Sequence, residues 1–370
     1  MTGRPALHSP TNGTPLTQDT PHSLRCEKGE RWPVADGIPY LRTGREELVA
    51  EVLALLDDNR QQAALILLLA DQDPWWTGPV ADPINLETLV DQRDTLTLRE
   101  AMRLLGFGPV ADYFAHRWTD PTYLAGLALL DAHWQSPRTA FELAGGIGHY
   151  ARLLGQHGVA VTSADIVFAK NWLGKHWVAP DAQYLTFDAA SPWPIADQRF
   201  DLVHCQDAFY FLREQSVIAD RMRDCIAEVG QLCIGHLHNG DVAGGPWGPA
   251  RTAAEWKELF PAALVYDEAE LRRALLHAGV PSPCALTANP SIEAWSLIEP
   301  ATPAKAADGP LSLTPAGERL VPNPLLTDGD PAWPSDRYRQ EYGKTATWLD
   351  PDASTPPERD RRLVALPERW

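Results

Sequence analysis

The chain has few cysteines for its 370 residues, and the five present (Cys26, Cys205, Cys225, Cys233 and Cys284) include no CxxC pair. That excludes a disulfide framework as the source of stability in a chain this large, and four of them fall in or near expected core elements, where a free thiol acts as a small apolar group. Long apolar runs are missing as well: the longest, Ala63 to Ala70, is too short to span a bilayer. The N-terminus has neither a basic n-region nor an apolar h-region, so no secretory signal is read there. Dense Lys/Arg runs are absent, and the formal net charge of −17 makes DNA, RNA and anionic membrane surfaces poor partners. The resulting expectation is a soluble cytoplasmic protein without nucleic-acid or membrane partners, its oligomeric state left open.

What is present is a hydrophobic share of 44%, enough for a sizeable core. Residues 1–23 are polar and proline-punctuated and are expected to form a disordered tail. Residues 24–44 read as short strands, with Asp36-Gly37 as a hairpin signal. Over 45–136 the pattern turns helical: Leu48, Val52, Leu55 and Leu56 share one face, and Ala64, Leu65, Leu68 and Leu69 another. Further helices are expected at Leu98–Leu105, Val110–Ala115 and Tyr123–Trp134. From 137 to 300 strands and helices alternate, as in a parallel sheet covered on both faces. The expected strands are Thr139–Leu143, Val159–Ala164, Gln183–Phe187, Phe200–Cys205 and Gln231–Gly235. Helices are expected at His149–Gln156, around Ala169–His176, within Arg213–Val229 and at Glu268–Ala278, and Pro283–Thr287 with Glu293–Ile298 reads as a closing hairpin. Residues 301–370 are proline-rich and read as an irregular extension, with a functionally rich patch at Trp333–Tyr338.

The chemistry is concentrated at the strand ends. Phe141-Glu142-Leu143-Ala144-Gly145-Gly146-Ile147-Gly148-His149-Tyr150 is a strand ending in a glycine-rich turn that feeds a helix, a geometry that brings backbone N–H groups close to a ligand. Glu142 would repel a pyrophosphate but suits a cationic amino group, and the turn lacks GxGxxG spacing. The second strand ends at Asp165, seventeen positions after Gly148, followed by Ile166. Asp188-Ala189 follows the third strand, and Gln206-Asp207 the fourth. In an open α/β sheet ligands bind outside the carboxyl ends of the strands, at the switch point. There Asp165 can accept from ribose hydroxyls and Asp188 from an adenine amino group.

This ordered set resembles class I S-adenosylmethionine-dependent methyltransferases, particularly the small-molecule group called type 11. Glu142, Ala144, Gly146 and Gly148 match the family's acidic-x-Gly/Ala-x-Gly-x-Gly motif, with Gly145 inside it. Asp165 matches the ribose carboxylate and Asp188 the adenine-side one. Phe200-Asp201-Leu202-Val203, Gly230-Gln231-Leu232-Cys233-Ile234 and Asp267-Glu268-Ala269-Glu270-Leu271-Arg272 also look like the family. The resemblance covers roughly 139–300 and implies an α/β, Rossmann-like core with a mostly parallel seven-stranded sheet and a closing antiparallel hairpin. It further implies S-adenosyl-L-methionine as cofactor, held by Glu142, Ala144, Gly145, Gly146, Gly148, Asp165, Ile166, Asp188, Ala189 and Gln206. Ala144 replaces a common glycine, which requires φ below zero there. A weaker resemblance joins Leu24-Arg25-Cys26 and Asp36–Arg42 to a zinc-ribbon-like module. With Cys26 and His22 alone, four ligands cannot be assembled, and no metal is expected.

Methyl transfer to a hydroxyl requires removal of a proton, for which His236, His238 and Asp207 are the candidates. If the fifth strand runs on through His236 and His238, the two share one face, with Leu237 opposite. On the substrate side Arg117, Tyr123, His149 and Tyr210 are candidates, with Arg117 equally suited to pair with Asp120, and residues 45–136 are expected to act as a helical lid. The expected activity is methylation of a small molecule, a sugar or secondary metabolite, at oxygen rather than nitrogen. The alternatives are a nicotinamide-dependent oxidoreductase and a non-catalytic S-adenosylmethionine-binding protein.

Overall fold

The computed structural model describes residues 6–74, 76–195, 197–242, 251–312, 318–321, 323, 326–327, 330–333, 339 and 366–370. Most of the Trp333–Tyr338 patch lies outside them. The chain divides into two compact units that do not follow the expected serial segments. One comprises 1–108, 138–204 and 212–230; the other 109–137, 205–211 and 231–370.

The first unit opens with an antiparallel meander of five strands: β1 (Leu7–His8), β2 (Pro15–Thr20), β3 (Ser23–Cys26), β4 (Arg31–Ala35) and β5 (Ile38–Pro39). Residues 6–23 are therefore sheet strands and their turns rather than a disordered tail. They are pinned at their start, where His8 N–H donates to Pro194 O at 2.8 Å and Gln198 Nε2 to Ala6 O at 2.8 Å. Asp36 and Gly37 between β4 and β5 both adopt left-handed φ, 47° and 76°, the two-residue hairpin turn that matches strand twist. Asp36 then accepts from Trp172 Nε1 at 2.8 Å and His176 Nε2 at 2.6 Å, so the hairpin tip is tied to the segment after the second core strand.

Four helices follow: α1 (Glu46–Asp57), α2 (Gln61–Ala70), α3 (Pro83–Asp91) and α4 (Leu98–Leu104). In α2 the buried residues are the expected Ala64, Leu65, Leu68 and Leu69; in α1 the buried face is Val49, Val52, Leu53 and Leu56, rotated from the expected one. A capping box between Thr97 and Glu100 starts α4. The second unit begins with α5 (Pro109–His116) and α6 (Pro121–Ala132), the latter started by Asp120, whose carboxylate accepts from the N–H groups of Thr122 and Tyr123, with proline at the first helical position.

The remaining elements are β6 (Thr139–Leu143), α7 (His149–Gln156), β7 (Ala160–Asp165), α8 (Phe168–Leu173), β8 (Gln183–Thr186), β9 (Phe200–Gln206), α9 (Gln215–Asp224), β10 (Ile226–His238), α10 (Ala253–Leu259), β11 (Leu264–Asp267), α11 (Glu268–Leu276) and β12 (Ala294–Glu299). Seven strands form one sheet in the order β11-β12-β10-β9-β6-β7-β8. β6, β7, β8 and β9 are parallel neighbours, whereas β12 runs antiparallel to both β10 and β11. The chain leaves β6 toward β7 and β8, then returns to place β9 on the other side, so the switch point falls beside β6.

Two expectations need correction. The partner of β12 is β11, which the sequence reading missed, while the 283–287 segment contributes a single bridge, Cys284 to Val265. β10 begins at Ile226, where a helix was expected to continue to Val229, because α9 ends at Asp224 and Phe200 N–H takes the Cys225 carbonyl at 2.8 Å. The extension after 300 is anchored: Asp131 of α6 accepts from Gly309 N–H at 2.7 Å and Leu311 N–H at 2.8 Å. Short antiparallel pairs also join Leu320–Val321 to Leu366–Pro367 and Leu326–Thr327 to Asp330–Pro331.

Candidate active site

In the first unit the glycine turn is built on contact between buried side chains. Glu142 and Ser163 are register partners on β6 and β7, and Ser163 Oγ donates to Glu142 Oε2 at 2.8 Å. Gly145 sits against this pair: a Cβ there would overlap Ser163 Oγ and lie 2.6 Å from Glu142 Oε2. Gly148, at φ 84°, caps α7 and presents His149 as its first, buried residue. Ala144 adopts φ 54°, so the expectation of a negative φ there is overturned. The left-handed region costs a residue with a Cβ roughly 1 kcal/mol, and the turn holds Ala144 in it because Gly145 N–H must reach Ala164 O at 3.0 Å.

Asp165 organises the same turn. Its Oδ2 accepts from Gly146 N–H at 3.1 Å, its Oδ1 from Val167 N–H at 2.9 Å, and Lys170 Nζ stands 3.4 Å away. Each oxygen keeps a second lone pair for a ligand. Ile166 beside it is partly exposed between buried neighbours. Asp188 closes a tight turn by accepting from Ala190 N–H at 2.9 Å. That loop is fixed by Arg221, which sequence reading missed: its Nη1 donates to the carbonyls of Ala189, Ala190 and Ser191 at 3.0, 3.2 and 2.7 Å. Arginine on a helix far along the chain carries no local signal of such a role.

Glu142 also pairs in register with His204 of β9. His204 is fully buried with its ring edge-on to Tyr150, and among the described residues neither ring nitrogen has a hydrogen-bond partner. Burial pushes its pKa down to about 3. The group is neutral in the fold but charges in the unfolded chain near 6.5, so the stability it allows is full above pH 6.5 and lost as pH falls toward 3. At pH 5 this amounts to about 2 kcal/mol. His204→Leu is expected to shrink the difference in unfolding free energy between pH 7 and pH 5 by about that amount, measured by urea denaturation at both pH values; an unchanged difference contradicts it.

The second unit carries a separate buried cluster. β9 ends in it with Gln206, whose Nε2 is buried without a partner among the described residues, and Asp207, which is held at φ 55°. Tyr113 OH donates to Asp207 Oδ2 at 2.6 Å, and Arg117 Nη1 lies 2.6 Å from Asp120 and 3.2 Å from Asp207. Arg117 therefore makes the Asp120 pair and reaches the strand end as well. Burial works against the Asp207 charge, but Arg117 and His236 outweigh it and hold the carboxyl below its ordinary range.

β10 runs through both candidate histidines, with a bulge between Ile234 and Leu237 that puts His236 at φ 59°. The two rings lie 4.5 Å apart, and Tyr210 stands edge-on to His238 at 4.3 Å and to His236 at 6.0 Å. His236 Nδ1 meets Glu268 Oε2 at 2.8 Å, its backbone N–H donates to Glu268 Oε1 at 2.8 Å, and its Nε2 faces Asp207 Oδ1 at 3.7 Å. Burial alone would lower the His236 pKa; the Glu268 and Asp207 carboxylates instead raise it to about 9. In the sequence Glu268 marks only a helix start, and its first-turn position carries no sign of a partner thirty-two residues earlier. Strained φ values at both Asp207 and His236 mark the kind of backbone that functional sites retain.

Tyr123 is buried in α6, and its backbone N–H donates to Asp120 Oδ1 at 2.9 Å. Asn239 is committed to a loop, donating to Asn289 O at 3.0 Å and Ile292 O at 2.8 Å. Among the described residues no group of three or more His, Cys, Asp or Glu could hold a metal ion, and no helix is long and apolar enough to cross a membrane.

No curated protein sequence matches the chain. Among solved structures, a SAM-dependent methyltransferase from Thiobacillus denitrificans in complex with S-adenosyl-L-homocysteine is 19% identical over 33% of this chain and 52% of its own, with a TM-score of 0.28. A TehB-like SAM-dependent methyltransferase from Corynebacterium glutamicum is 14% identical over 49% and 87%, with a TM-score of 0.35. One from Geobacter sulfurreducens, also with S-adenosyl-L-homocysteine, is 18% identical over 33% and 51%, with a TM-score of 0.27. The chain thus spans about half the length of the first and third of these. A family model described as a methyltransferase domain matches residues 141–234, the stretch that carries the glycine turn, Asp165, Asp188 and Asp207, and this part of the chain is a methyltransferase domain of Rossmann-like fold.

Proposed function

We propose that the protein transfers a methyl group from S-adenosylmethionine to a hydroxyl oxygen of a small molecule. The residues present fit that cofactor. Glu142 is a buried carboxylate suited to an ammonium group, Asp165 retains lone pairs for ribose hydroxyls, and Ile166 offers a partly exposed apolar surface to adenine. Asp188 and Ala189 would supply an acceptor and a backbone donor for the edge of that ring; in the second unit Gln206 Nε2, buried without a partner among the described residues, is a donor available to a ligand. When bound, S-adenosylmethionine supplies an electrophilic methyl on a sulfonium.

The observation that favours an oxygen acceptor is the His236 arrangement. With Nδ1–H committed to Glu268, neutral His236 keeps its lone pair on Nε2, the state a general base needs. A proton taken from a hydroxyl lands on Nε2, which faces Asp207 at 3.7 Å, and Glu268, 2.8 Å from Nδ1, stabilises the imidazolium from the other side of the ring. Tyr113 and Arg117 keep Asp207 ionised and in place for this. A net charge of −17 supports a small acceptor over a polyanionic one.

Titration calorimetry of the full chain with S-adenosylmethionine and S-adenosylhomocysteine tests the reading. Binding with Kd on the order of micromolar is expected, weakened about tenfold or more in Asp165→Ala. Absence of binding to either ligand by the wild type overturns the proposal.

A further inference from the structure

The N-terminal meander contains a polar cluster that the reaction does not use. Two turns meet there. The first, after β1, closes with Gly13 N–H on Ser9 O at 2.8 Å; the second, after β3, closes with Gly29 N–H on Cys26 O at 2.9 Å. Both turns depend on a left-handed glycine, Gly13 at φ 71° and Gly29 at φ 87°. The first presents Ser9 and Asn12, the second Cys26 and Glu30, so the side chains converge from positions spaced x2 and x3 along the chain.

Paired turns with side chains at those spacings are how a structural zinc ion is gripped. The chemistry here is different. A hydroxyl, an amide, one thiol and one carboxylate are not a zinc set, and the metal a zinc-ribbon-like module implies does not fit these residues. Instead the side chains bond to one another. The Glu30 carboxylate accepts from Ser9 Oγ, from Thr11 Oγ1 at 2.6 and 2.7 Å, from Asn12 Nδ2 at 3.1 Å and from Trp32 Nε1 at 3.3 Å. Asn12 Nδ2 also reaches the buried Cys26 Sγ at 3.7 Å, closing the ring between the two turns.

We propose that Glu30 occupies the place of a structural metal ion at these turns with the charge inverted, an anion ringed by donors where a cation would be ringed by thiolates. Hydrogen bonds to an ionised carboxylate are the stronger kind, and four donor side chains converging on one carboxylate tie β1, β2, β3 and β4 together as a metal would. Burial opposes the charge, but the bonds from Ser9, Thr11 and Trp32 outweigh it and hold the carboxyl below its usual range. The assignment does not depend on the methyltransferase reading.

Three measurements on the full chain test it. Wild-type protein is expected to hold no zinc after dialysis and to keep its Tm in EDTA; stoichiometric zinc whose removal lowers Tm overturns the proposal. Glu30→Gln is expected to lower Tm by about 4 °C, and an unchanged Tm overturns it. The third is a gain of function. Ser9→Cys, Asn12→Cys and Glu30→Cys together, with the native Cys26, should create a tetrahedral thiolate site that binds one Co2+ with intense charge-transfer and tetrahedral d–d absorption. If this variant folds but binds no Co2+, or binds it without the tetrahedral spectrum, the two turns are not a metal-knuckle scaffold. If it unfolds, zinc should restore the wild-type circular dichroism, and failure to do so is equally adverse.

Discussion

Gly145→Ala is expected to weaken S-adenosylhomocysteine binding by at least about 100-fold, or about 2.7 kcal/mol, the largest binding effect of any single substitution in the first unit. The added methyl would overlap Ser163 Oγ and sit 2.6 Å from Glu142 Oε2 and 2.7 Å from its Cδ. Neither neighbour can swing away, because both are buried and donate and accept the same 2.8 Å hydrogen bond. Relief requires driving Glu142 off Ser163, which misplaces the one carboxylate suited to the cofactor's ammonium group. A control isolates this from a general helix effect. Gly155→Ala lies in α7, where a Cβ meets nothing within 4 Å, and should leave affinity and circular dichroism as in the wild type. Calorimetry on both variants decides the matter: a Gly145→Ala protein that binds within threefold of wild type removes the turn from the binding site.

The second large effect falls on turnover. With an acceptor identified by release of S-adenosylhomocysteine from a panel of hydroxylated compounds, His236→Gln is expected to lower kcat by about 1000-fold, within the range a positioned general base contributes. Wild-type kcat/KM should rise with pH and level off near 9, since His236 must be unprotonated to act and its pKa is raised to about 9. The groups facing it are Glu268, Asp207, Arg117, His238 and Tyr210, and Glu268 is the largest of the raising influences. Glu268→Gln should therefore move the inflection to lower pH while retaining part of the rate, and His236→Gln should abolish it. A wild-type profile flat between pH 6 and pH 10 would show that His236 is not the base. The same residue links to stability with a definite sign: its folded pKa is raised, so its contribution is full below about 6.5 and is lost as pH rises through about 9.

How much of this could be read from sequence depends on where each signal is stored. β6 and α7 fall where expected because Gly145, Gly146 and Gly148 punctuate the chain between them, and a turn that needs left-handed residues announces itself locally. Asp165 and Asp188 follow the second and third expected strands in sequence, and in the structure Asp165 ends β7 while Asp188 lies two residues past β8. What was hidden is what depends on distant residues. Leu264–Asp267 is four residues long and runs straight into α11, so β11 emerges only through its pairing with β12. The Pro15–Thr20 strand exposes most of its polar side chains, so its composition looks like a tail; the ladder with β3 makes it a strand. Glu268 and Arg221 act through side chains that cross to other elements, which no periodicity records. Ala144 shows the reverse case, where the residue type suggested one backbone conformation and the surrounding hydrogen bonds imposed another.

The ring of donors around Glu30 also changes what the N-terminal meander is vulnerable to. A thiolate-and-zinc centre is at the mercy of oxidants, chelators and scarcity of the ion. A carboxylate held by hydroxyl, amide and indole groups is indifferent to all three, and assembles without waiting for anything to be delivered. Its weakness is acid. Because the folded-state pKa of Glu30 lies below the ordinary 4.5, the stabilisation is complete above that value and disappears as pH falls through the lowered one. The meander thereby depends on the state of one proton rather than on the supply of a metal.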